Sequence, residues 1–359
     1  MKIAQVAPLY ESVPPKLYGG TERVVSYLTE ELVRQGHDVT LFASGDSITR
    51  AKLRPVCERA LRLEGKKVID PLAHHIRMIA MVAEEAADFD LIHFHIDYLH
   101  FPVTRHQNIS ALTTLHGRLD LPDLVPIYQD FWDMNLVSIS NSQRAPLSWA
   151  NWIGNVYHGL PDDLYTPTMT PGNYLAFLGR ICPEKRVDRA IEIATRANMP
   201  IKIAAKIDAV DQEYFDVTIR KLFDHPLVEY VGEIGERDKE EFLGNAHAVL
   251  FPIDWPEPFG LVMIESMACG TPVVAYPMGS VPEIIDEGET GFVVASIEEA
   301  VNAVSKIQSF NRAACRRMFN QRFSARRMAL DYIEVYQRVL GLSGTGPTID
   351  ADDDLALAS

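Results

Sequence analysis

The sequence predicts an α/β protein built from two doubly wound units, each a parallel sheet covered by helices on both faces. Short runs rich in Val, Ile and Leu alternate with longer amphipathic segments, and this rhythm begins again after a segment containing Pro161, Pro167 and Pro171. The apolar runs lack polar alternation, as expected for strands buried on both faces. A chain of 359 residues is long for one such core and suits two.

The first unit is predicted to span residues 1–165. A helix is expected over Thr21–Gln35, where Gly36 ends it. The apolar runs around it predict strands over Lys2–Pro8, Asp38–Ala43, Asp90–His95, Ala111–Leu115, Asn135–Ile139 and Asn155–His158.

The second unit is predicted to span residues 166–324. Its strands are expected over Tyr174–Leu178, Ile201–Ala205, Leu227–Val231, Ala248–Phe251 and Pro272–Ala275. Its helices are expected over Lys185–Ala197, Asp211–Phe223, Arg237–Asn245 and Gly260–Ala268. A further amphipathic helix, Ala325–Leu340, falls within a predicted segment 325–342, and the polar, acidic residues 343–359 are expected to be a disordered tail.

The composition excludes several classes of protein. Asp and Glu total 49 against 34 Lys and Arg, so the formal net charge is −15, which disfavours a nucleic-acid-binding surface. The four cysteines form no CxxC motif, and a reduced, cytoplasmic compartment is expected. The N-terminus resembles a buried strand rather than a signal peptide, and no apolar run reaches the length of a membrane span.

The strongest chemical motif is Glu257-Pro-Phe-Gly-Leu-Val-Met-Ile-Glu265, which follows a predicted strand. Gly260 frees the backbone to open a helix, whose first N–H groups suit a phosphate or sugar oxygen. Glu257 can accept hydrogen bonds from sugar hydroxyls, and Glu265 can reach a ribose diol. As bare residues, two solvated acids beside an ordinary helix remain an equal alternative.

Two further strand ends carry groups that suit a diphosphate. Arg180 and Lys185 in LGRICPEKR can clamp its charge, although a surface turn with ordinary basic residues would look the same. Gly19 and Gly20 precede the first helix and allow a ligand close to the backbone, but a Gly-Gly turn alone is weak evidence.

Histidines follow two other predicted strands of the first unit. His116 ends TTLH, His95 ends the strand Asp90–His95, and Asp97 comes two residues later. Parallel strands end at one edge of a sheet, so these side chains are expected at the cleft. A single histidine is more often structural, and His93 in particular suits a role in the core.

Taken in order, EPFGLVMIE with the following ACGTPVVA, GRICPEKR, the GGTE turn and TLHG resemble the retaining glycosyltransferases of family GT4, which have the GT-B fold. The resemblance extends from Ile3 to about Leu340. It implies two Rossmann-like domains that face each other across a cleft, with a C-terminal helix that crosses back to the first domain.

The resemblance also implies roles for individual residues. Those expected to act in catalysis are His116 beside the reactive carbon, Arg180 and Lys185 on the diphosphate, and Glu257 on the sugar hydroxyls. Those expected to bind the donor are Gly19, Gly20, the backbone of Phe259, Gly260 and Leu261, Glu265 on the ribose, and Gly232 and Ile234 near the base. His95 and Asp97 remain candidates for the acceptor side.

The implied reaction moves a hexose from a nucleoside-diphosphate sugar, with UDP-glucose favoured, to a hydroxyl of a small molecule, glycan or lipid-linked acceptor. No metal or other cofactor is expected, because Arg180 and Lys185 replace the ion that a DxD motif would bind. Asp352–Asp354 lies in the acidic tail and fits a solubilising role. Membrane contact is expected to be peripheral at most. The basic stretch Arg50–Lys67 fits a solvated loop and helix, and contact of this stretch with anionic lipid is the alternative.

Three other classes of protein remain open at this stage. A nucleotide-sugar epimerase of the same fold would use the same cleft without an acceptor, and a binding protein would use it without turnover. A dehydrogenase is less favoured because the sequence lacks a GxGxxG fingerprint, and the absence of GxxxxGK[ST] counts against an ATPase.

Overall fold

The computed structural model describes residues 1–16 and 18–342. The expected acidic tail, with Asp352–Asp354, lies outside these residues. The described chain forms two parallel sheets, each enclosed by helices, and so confirms the predicted two-domain α/β architecture. No helix in the described ranges combines the length and apolarity needed to cross a bilayer.

The first sheet has the strand order β3-β2-β1-β4-β5-β6-β7, with every pair parallel. Its strands are β1 Lys2–Val6, β2 Asp38–Ser44, β3 Lys52–Cys57, β4 Leu91–Phe94, β5 Ala111–Thr114, β6 Leu136–Ser138 and β7 Trp152–Asn155. Its α-helices are α1 Gly20–Arg34, α2 Pro71–Glu84, α3 Phe101–Gln107, α4 Leu124–Asp130 and α5 Asn141–Arg144.

The second sheet has the order β10-β9-β8-β11-β12-β13 and is also parallel. Its strands are β8 Leu175–Arg180, β9 Ile201–Lys206, β10 Val228–Gly232, β11 Ala248–Phe251, β12 Val273–Ala275 and β13 Gly291–Val293. Its α-helices are α6 Val187–Arg196, α7 Gln212–Tyr214, α8 Glu236–Gly244, α9 Leu261–Ala268, α10 Val281–Ile284, α11 Ile297–Lys306 and α12 Arg312–Arg322.

Each sheet reverses its strand order once, between β1 and β4 in the first and between β8 and β11 in the second. At such a reversal the neighbouring crossover helices lie on opposite faces, and the loops at the carboxyl ends diverge to leave a crevice. The segments after these strands carry the chemical motifs of the sequence. The fold therefore brings those motifs to one cleft.

The last helix, α13 Ala325–Val339, returns to the first domain. Met328, Tyr332, Val335 and Tyr336 pack there among core residues of the first sheet. The entry to the helix is anchored by Leu160, whose N–H and carbonyl bond to Phe323 and Ala325 at 2.9 and 2.7 Å. This return confirms the predicted crossover, and the domain boundary placed at 165/166 stays a prediction.

Three sequence-based assignments in these domains were wrong in detail. The stretch Arg50–Lys67 contains the edge strand β3, which its charges and Pro55 concealed; proline is tolerated there because an edge strand has an unpaired side. The last strand of the first sheet ends at Asn155 instead of beginning there. The helix expected over Asp211–Phe223 is α7 followed by π- and 3₁₀-helical turns.

Candidate active site

A cleft of about 890 Å³ opens between the two domains, at the carboxyl ends of both sheets. It is lined from the first domain by the segments after β1, β4, β5, β6 and β7, and from the second by the end of β9 and the segments after β8, β10 and β11. Its dimensions suit a ligand larger than a single sugar.

Two helices begin at the cleft without a side-chain cap. Gly19 precedes α1, and Gly260, with a φ of 81°, precedes α9. A Cβ atom on Gly20 would lie 3.7 Å from the Leu261 side chain, so the two helix starts approach each other from opposite domains. Their first N–H groups lack intrahelical partners and favour an anion, such as a phosphate, between them.

The loop before α9 is held from both domains. Ser140 of the first domain donates its hydroxyl to the Pro258 carbonyl at 2.7 Å, and Ser280 donates to the Phe259 carbonyl at 2.7 Å. The Ser280 N–H also donates to the Glu257 carbonyl at 2.9 Å. Glu257 and the start of α9 are thus fixed before any ligand arrives.

Lys185 and Glu257 form an ion pair in the cleft. The Trp255 indole N–H donates to the same carboxylate at 3.1 Å, and the Lys185 ammonium lies 5.1 Å from the Trp255 ring and 5.5 Å from the Phe251 ring. The lysine side chain is flexible, and these contacts hold its ammonium group at a defined position. An arriving anion would meet a cation that is already positioned.

Arg180, at the end of β8, lies among three carboxylates. Its guanidinium is 3.4 Å from Asp211 and 3.6 Å from both Asp208 and Glu184, and about a third of the side chain is exposed. These separations are longer than close ion pairs. The guanidinium is therefore held in place while its donors remain available to a ligand in the cleft.

Glu265 lies on α9 and is 2% exposed. It accepts a hydrogen bond of 2.7 Å from the Lys239 ammonium, whose pKa is lowered by burial. Lys239 is also 3.5 Å from Glu236, which in turn forms an ion pair with Arg23 of α1. A chain of alternating charges thus joins α9 and α8 of the second domain to α1 of the first.

Sequence reasoning missed Arg23, Glu236 and Lys239. The spacing of Glu236 and Lys239, three residues apart on α8, is a signal that both face one side of the helix. No feature of the sequence shows that α1 of the other domain supplies the partner, because that contact depends on how the two domains face each other.

His116 and His95 line the first-domain wall, and the His95 Nδ1 and His116 Nε2 atoms are 2.9 Å apart. Burial lowers the pKa of His116 to about 3, and that of His95 lies well below its usual range because of burial and the neighbouring histidines. Both rings are therefore neutral at ordinary pH. His93 lies fully in the core, as expected.

Asp97 follows β4 with a φ of 52°, a left-handed conformation that non-glycine residues rarely adopt. The residue is exposed, and its exposed surface faces the cleft. The surrounding cleft walls limit solvation of the carboxylate and raise the pKa of the carboxyl group to about 6, since desolvation disfavours the charged form.

The cleft brings together all but one of the residues singled out from the sequence. The lining includes Gly19, Gly20, His95, Asp97, His116, Arg180, Lys185, Ile234, Glu257, Phe259, Gly260, Leu261 and Glu265. Gly232 is the exception: it ends β10 with a φ of 81°, and the residues that reach the cleft there are Glu233 and Ile234. Among the described residues, no group of His, Cys, Asp or Glu is arranged to hold a metal ion.

The two halves of the chain match two family profiles. Residues 167–321 match the profile described as Glycosyl transferases group 1, and residues 18–162 match that described as Glycosyltransferase Family 4. The chain belongs to the group 1, family GT4 glycosyltransferases. The motifs that carry the sequence resemblance to this family lie in segments that line the cleft.

Relatives of this glycosyltransferase differ widely in sequence. N-acetyl-alpha-D-glucosaminyl L-malate synthase of Bacillus anthracis is 23% identical over 77% of this chain and 80% of its own length. An uncharacterized 41.2 kDa protein in the cps region of Klebsiella pneumoniae is 30% identical over 45% of this chain and 46% of its own length. The chain thus spans about half the length of some curated relatives that it matches.

Solved structures share the fold. AviGT4, a glycosyltransferase involved in avilamycin A biosynthesis, is 22% identical with a TM-score of 0.72, covering 95% of this chain and 98% of that one. HepE of Anabaena in complex with UDP is 18% identical with a TM-score of 0.71, covering 94% of this chain and all of that one. These similarities confirm the predicted GT-B architecture.

The raised pKa of Asp97 predicts a pH-dependent effect of Asp97→Asn on stability. The folded-state pKa of about 6 exceeds the unfolded value of about 3.9, so the wild-type protein loses stability as the pH rises between them. Asparagine tolerates the positive φ and carries no charge. At about pH 8 the variant should therefore unfold at a higher temperature than the wild type. At about pH 4 the two proteins should unfold at similar temperatures.

Thermal unfolding at both pH values measures this difference, expected to be about 2–4 °C for roughly 1 kcal/mol after allowance for solvent screening. Asp163→Asn makes the same substitution at an exposed position that does not line the cleft, and it is the matched control. If Asp97→Asn raised the unfolding temperature more at pH 4 than at pH 8, the assignment of a raised pKa to Asp97 would be contradicted.

Proposed function

We propose that this glycosyltransferase moves a hexose from a nucleoside-diphosphate sugar to a hydroxyl acceptor, with retention at the anomeric carbon and without a metal ion. The observation that carries the proposal is the meeting of Arg180, Lys185 and the uncapped starts of α1 and α9 around one cleft. Fixed cations and aligned N–H groups of this kind stabilise a diphosphate as it departs.

In this proposal the diphosphate lies between Arg180, Lys185 and the N-terminus of α9, with the sugar toward His116. Glu257 accepts hydrogen bonds from sugar hydroxyls. The Lys185 ammonium contacts the phosphate, and its ion pair with Glu257 is opened or shared with that phosphate. Glu265 binds the ribose. Lys239 donates to one carboxylate oxygen of Glu265, and the other oxygen accepts hydrogen bonds from the ribose hydroxyls. The base lies beside Glu233 and Ile234.

The bond between the anomeric carbon and the phosphate oxygen breaks first, and its electron pair leaves with the diphosphate. An oxygen of the acceptor hydroxyl then bonds to the same face of the carbon, and its proton passes to the departing phosphate oxygen. The protein contributes charge stabilisation and position. Closure of the two domains excludes water, whose attack would give hydrolysis instead of transfer.

UDP-glucose is our favoured donor, and similarity in fold to HepE, which has been solved in complex with UDP-glucose, supports testing it first. The acceptor is proposed to meet the first-domain wall near His95 and Asp97, and small-molecule, glycan and lipid-linked hydroxyls are its candidate classes. Product analysis with the donor alone separates transfer from epimerisation, since an epimerase changes the sugar without an acceptor.

Replacing either cation should reduce turnover without unfolding the protein. Arg180→Ala and Lys185→Ala should each lower kcat by about a hundredfold or more, because each removes one preorganised partner of the developing charge. Release of nucleoside diphosphate in the presence of acceptor measures this. The matched control is Lys202→Ala, which removes a second-domain lysine that pairs with Glu229 and does not line the cleft.

If Arg180→Ala and Lys185→Ala both turned over at the wild-type rate, these two side chains would not stabilise the departing diphosphate. An equal loss in Lys202→Ala would show that the defect is general and not specific to the cleft.

Chelation should leave the reaction unchanged. Because Arg180 and Lys185 are proposed to neutralise the leaving group, the initial rate in excess EDTA should equal that in added Mg²⁺. Initial rates under the two conditions measure this directly. A rate that collapses in EDTA and returns with Mg²⁺ would overturn the metal-independent form of the proposal.

A further inference from the structure

A line of buried polar side chains runs from the core of the first sheet to the cleft. Gln5 is the next-to-last residue of β1 and is fully buried, and its Oε1 atom is 2.8 Å from the His95 Nε2 atom. The other ring nitrogen of His95, Nδ1, is 2.9 Å from the His116 Nε2 atom. The line ends at His116, which lines the cleft.

The chemistry of each group sets the direction of these hydrogen bonds. An amide oxygen only accepts, so with Gln5 Oε1 directed at His95, the hydrogen of His95 lies on Nε2. A neutral imidazole has one N–H, so the His95 Nδ1 atom accepts and His116 must donate from its own Nε2. The lone pair of His116 is thereby left on Nδ1, which bonds to none of the described residues.

The other end of the Gln5 amide contacts the crossover helix. Its Nε2 atom donates to the Tyr336 hydroxyl of α13 at 3.1 Å, and that hydroxyl is 2.8 Å from the His93 Nδ1 atom. The His93 Nε2 atom is in turn 2.7 Å from the Thr114 hydroxyl. The opposite amide orientation would reverse every bond in the line and move the hydrogen of His116 to Nδ1.

We infer that Gln5 and His95 are positioning residues that hold His116 as its Nε2–H tautomer, so that Nδ1 faces the cleft as a hydrogen-bond acceptor. An unconstrained neutral histidine would populate both tautomers and could offer either a donor or an acceptor. The buried line removes that freedom. The low pKa of His116 supports the inference, because the ring does not gain a second hydrogen at ordinary pH.

An acceptor-only atom selects the group that binds beside it. A hydroxyl can donate to the Nδ1 lone pair, whereas an ionised phosphate or carboxylate oxygen would face it lone pair to lone pair. Resting on the proposed function, this assigns Nδ1 to a hydroxyl of the transferred sugar or of the acceptor. The anionic diphosphate is directed instead to Arg180, Lys185 and the starts of α1 and α9.

The tautomer can be read directly by NMR of the full chain labelled with ¹⁵N in histidine. Two-bond ¹H–¹⁵N correlations distinguish a protonated from an unprotonated ring nitrogen, and the spectrum of His116→Asn assigns the signals of His116 by their loss. In the wild-type protein, Nε2 should be protonated and Nδ1 unprotonated. A hydrogen on Nδ1 in the wild-type spectrum would overturn the inference without any other variant.

Gln5→Met tests the source of the constraint, since methionine keeps the length of the side chain and removes the amide. His116 should then populate both tautomers, and kcat should fall about tenfold, as expected when one hydrogen bond to the reacting complex is lost. The matched control is Thr113→Val, which removes the hydroxyl bonded to the His100 Nε2 atom at 2.7 Å. It should change neither the His116 spectrum nor kcat.

An unchanged His116 spectrum in Gln5→Met would remove Gln5 from the inference. Mixed tautomers with an unchanged kcat would show that the tautomer has no part in transfer. If the wild-type protein fails to transfer a sugar at all, the proposed function fails, while the wild-type spectrum still decides the tautomer on its own.

Discussion

The interaction on which the site depends is the pairing of cleft cations with carboxylates in a protein of net charge −15. Lys185 pairs with Glu257, Lys239 pairs with Glu265, and Arg180 lies among acids at 3.4–3.6 Å. Each cation is thereby positioned in advance. An arriving anion meets side chains that are already ordered, which lowers the entropy cost of binding.

The same charges connect the two domains. At the cleft, Glu236 of α8 pairs with Arg23 of α1. Farther along the interface, the Glu283 carboxylate of α10 accepts the N–H groups of Asn141 and Ser142 at 2.8 and 2.7 Å. The second contact caps the start of a first-domain helix. Together with α13, these contacts set how the domains face each other, and therefore the distance between Leu261 and Gly20.

The sequence predicted the parts of the site that depend on one chain segment. Spacing placed Glu257 and Glu265 around a helix start, and strand ends placed Arg180 and His116 at the cleft. It did not predict partners that depend on domain orientation, such as Arg23 with Glu236, or on neighbouring strands, such as Gln5 with His95. Strand β3 was not predicted because it is an edge strand whose charged residues and Pro55 interrupt any apolar run.

A crystal structure of the protein with UDP tests the central claim most directly. The account predicts the β-phosphate within hydrogen-bonding distance of Arg180, Lys185 and the first N–H groups of α9, with the Lys185–Glu257 contact opened or shared. UDP bound with the Arg180 guanidinium in bulk solvent, and with Lys185 still paired to Glu257 alone, would contradict it.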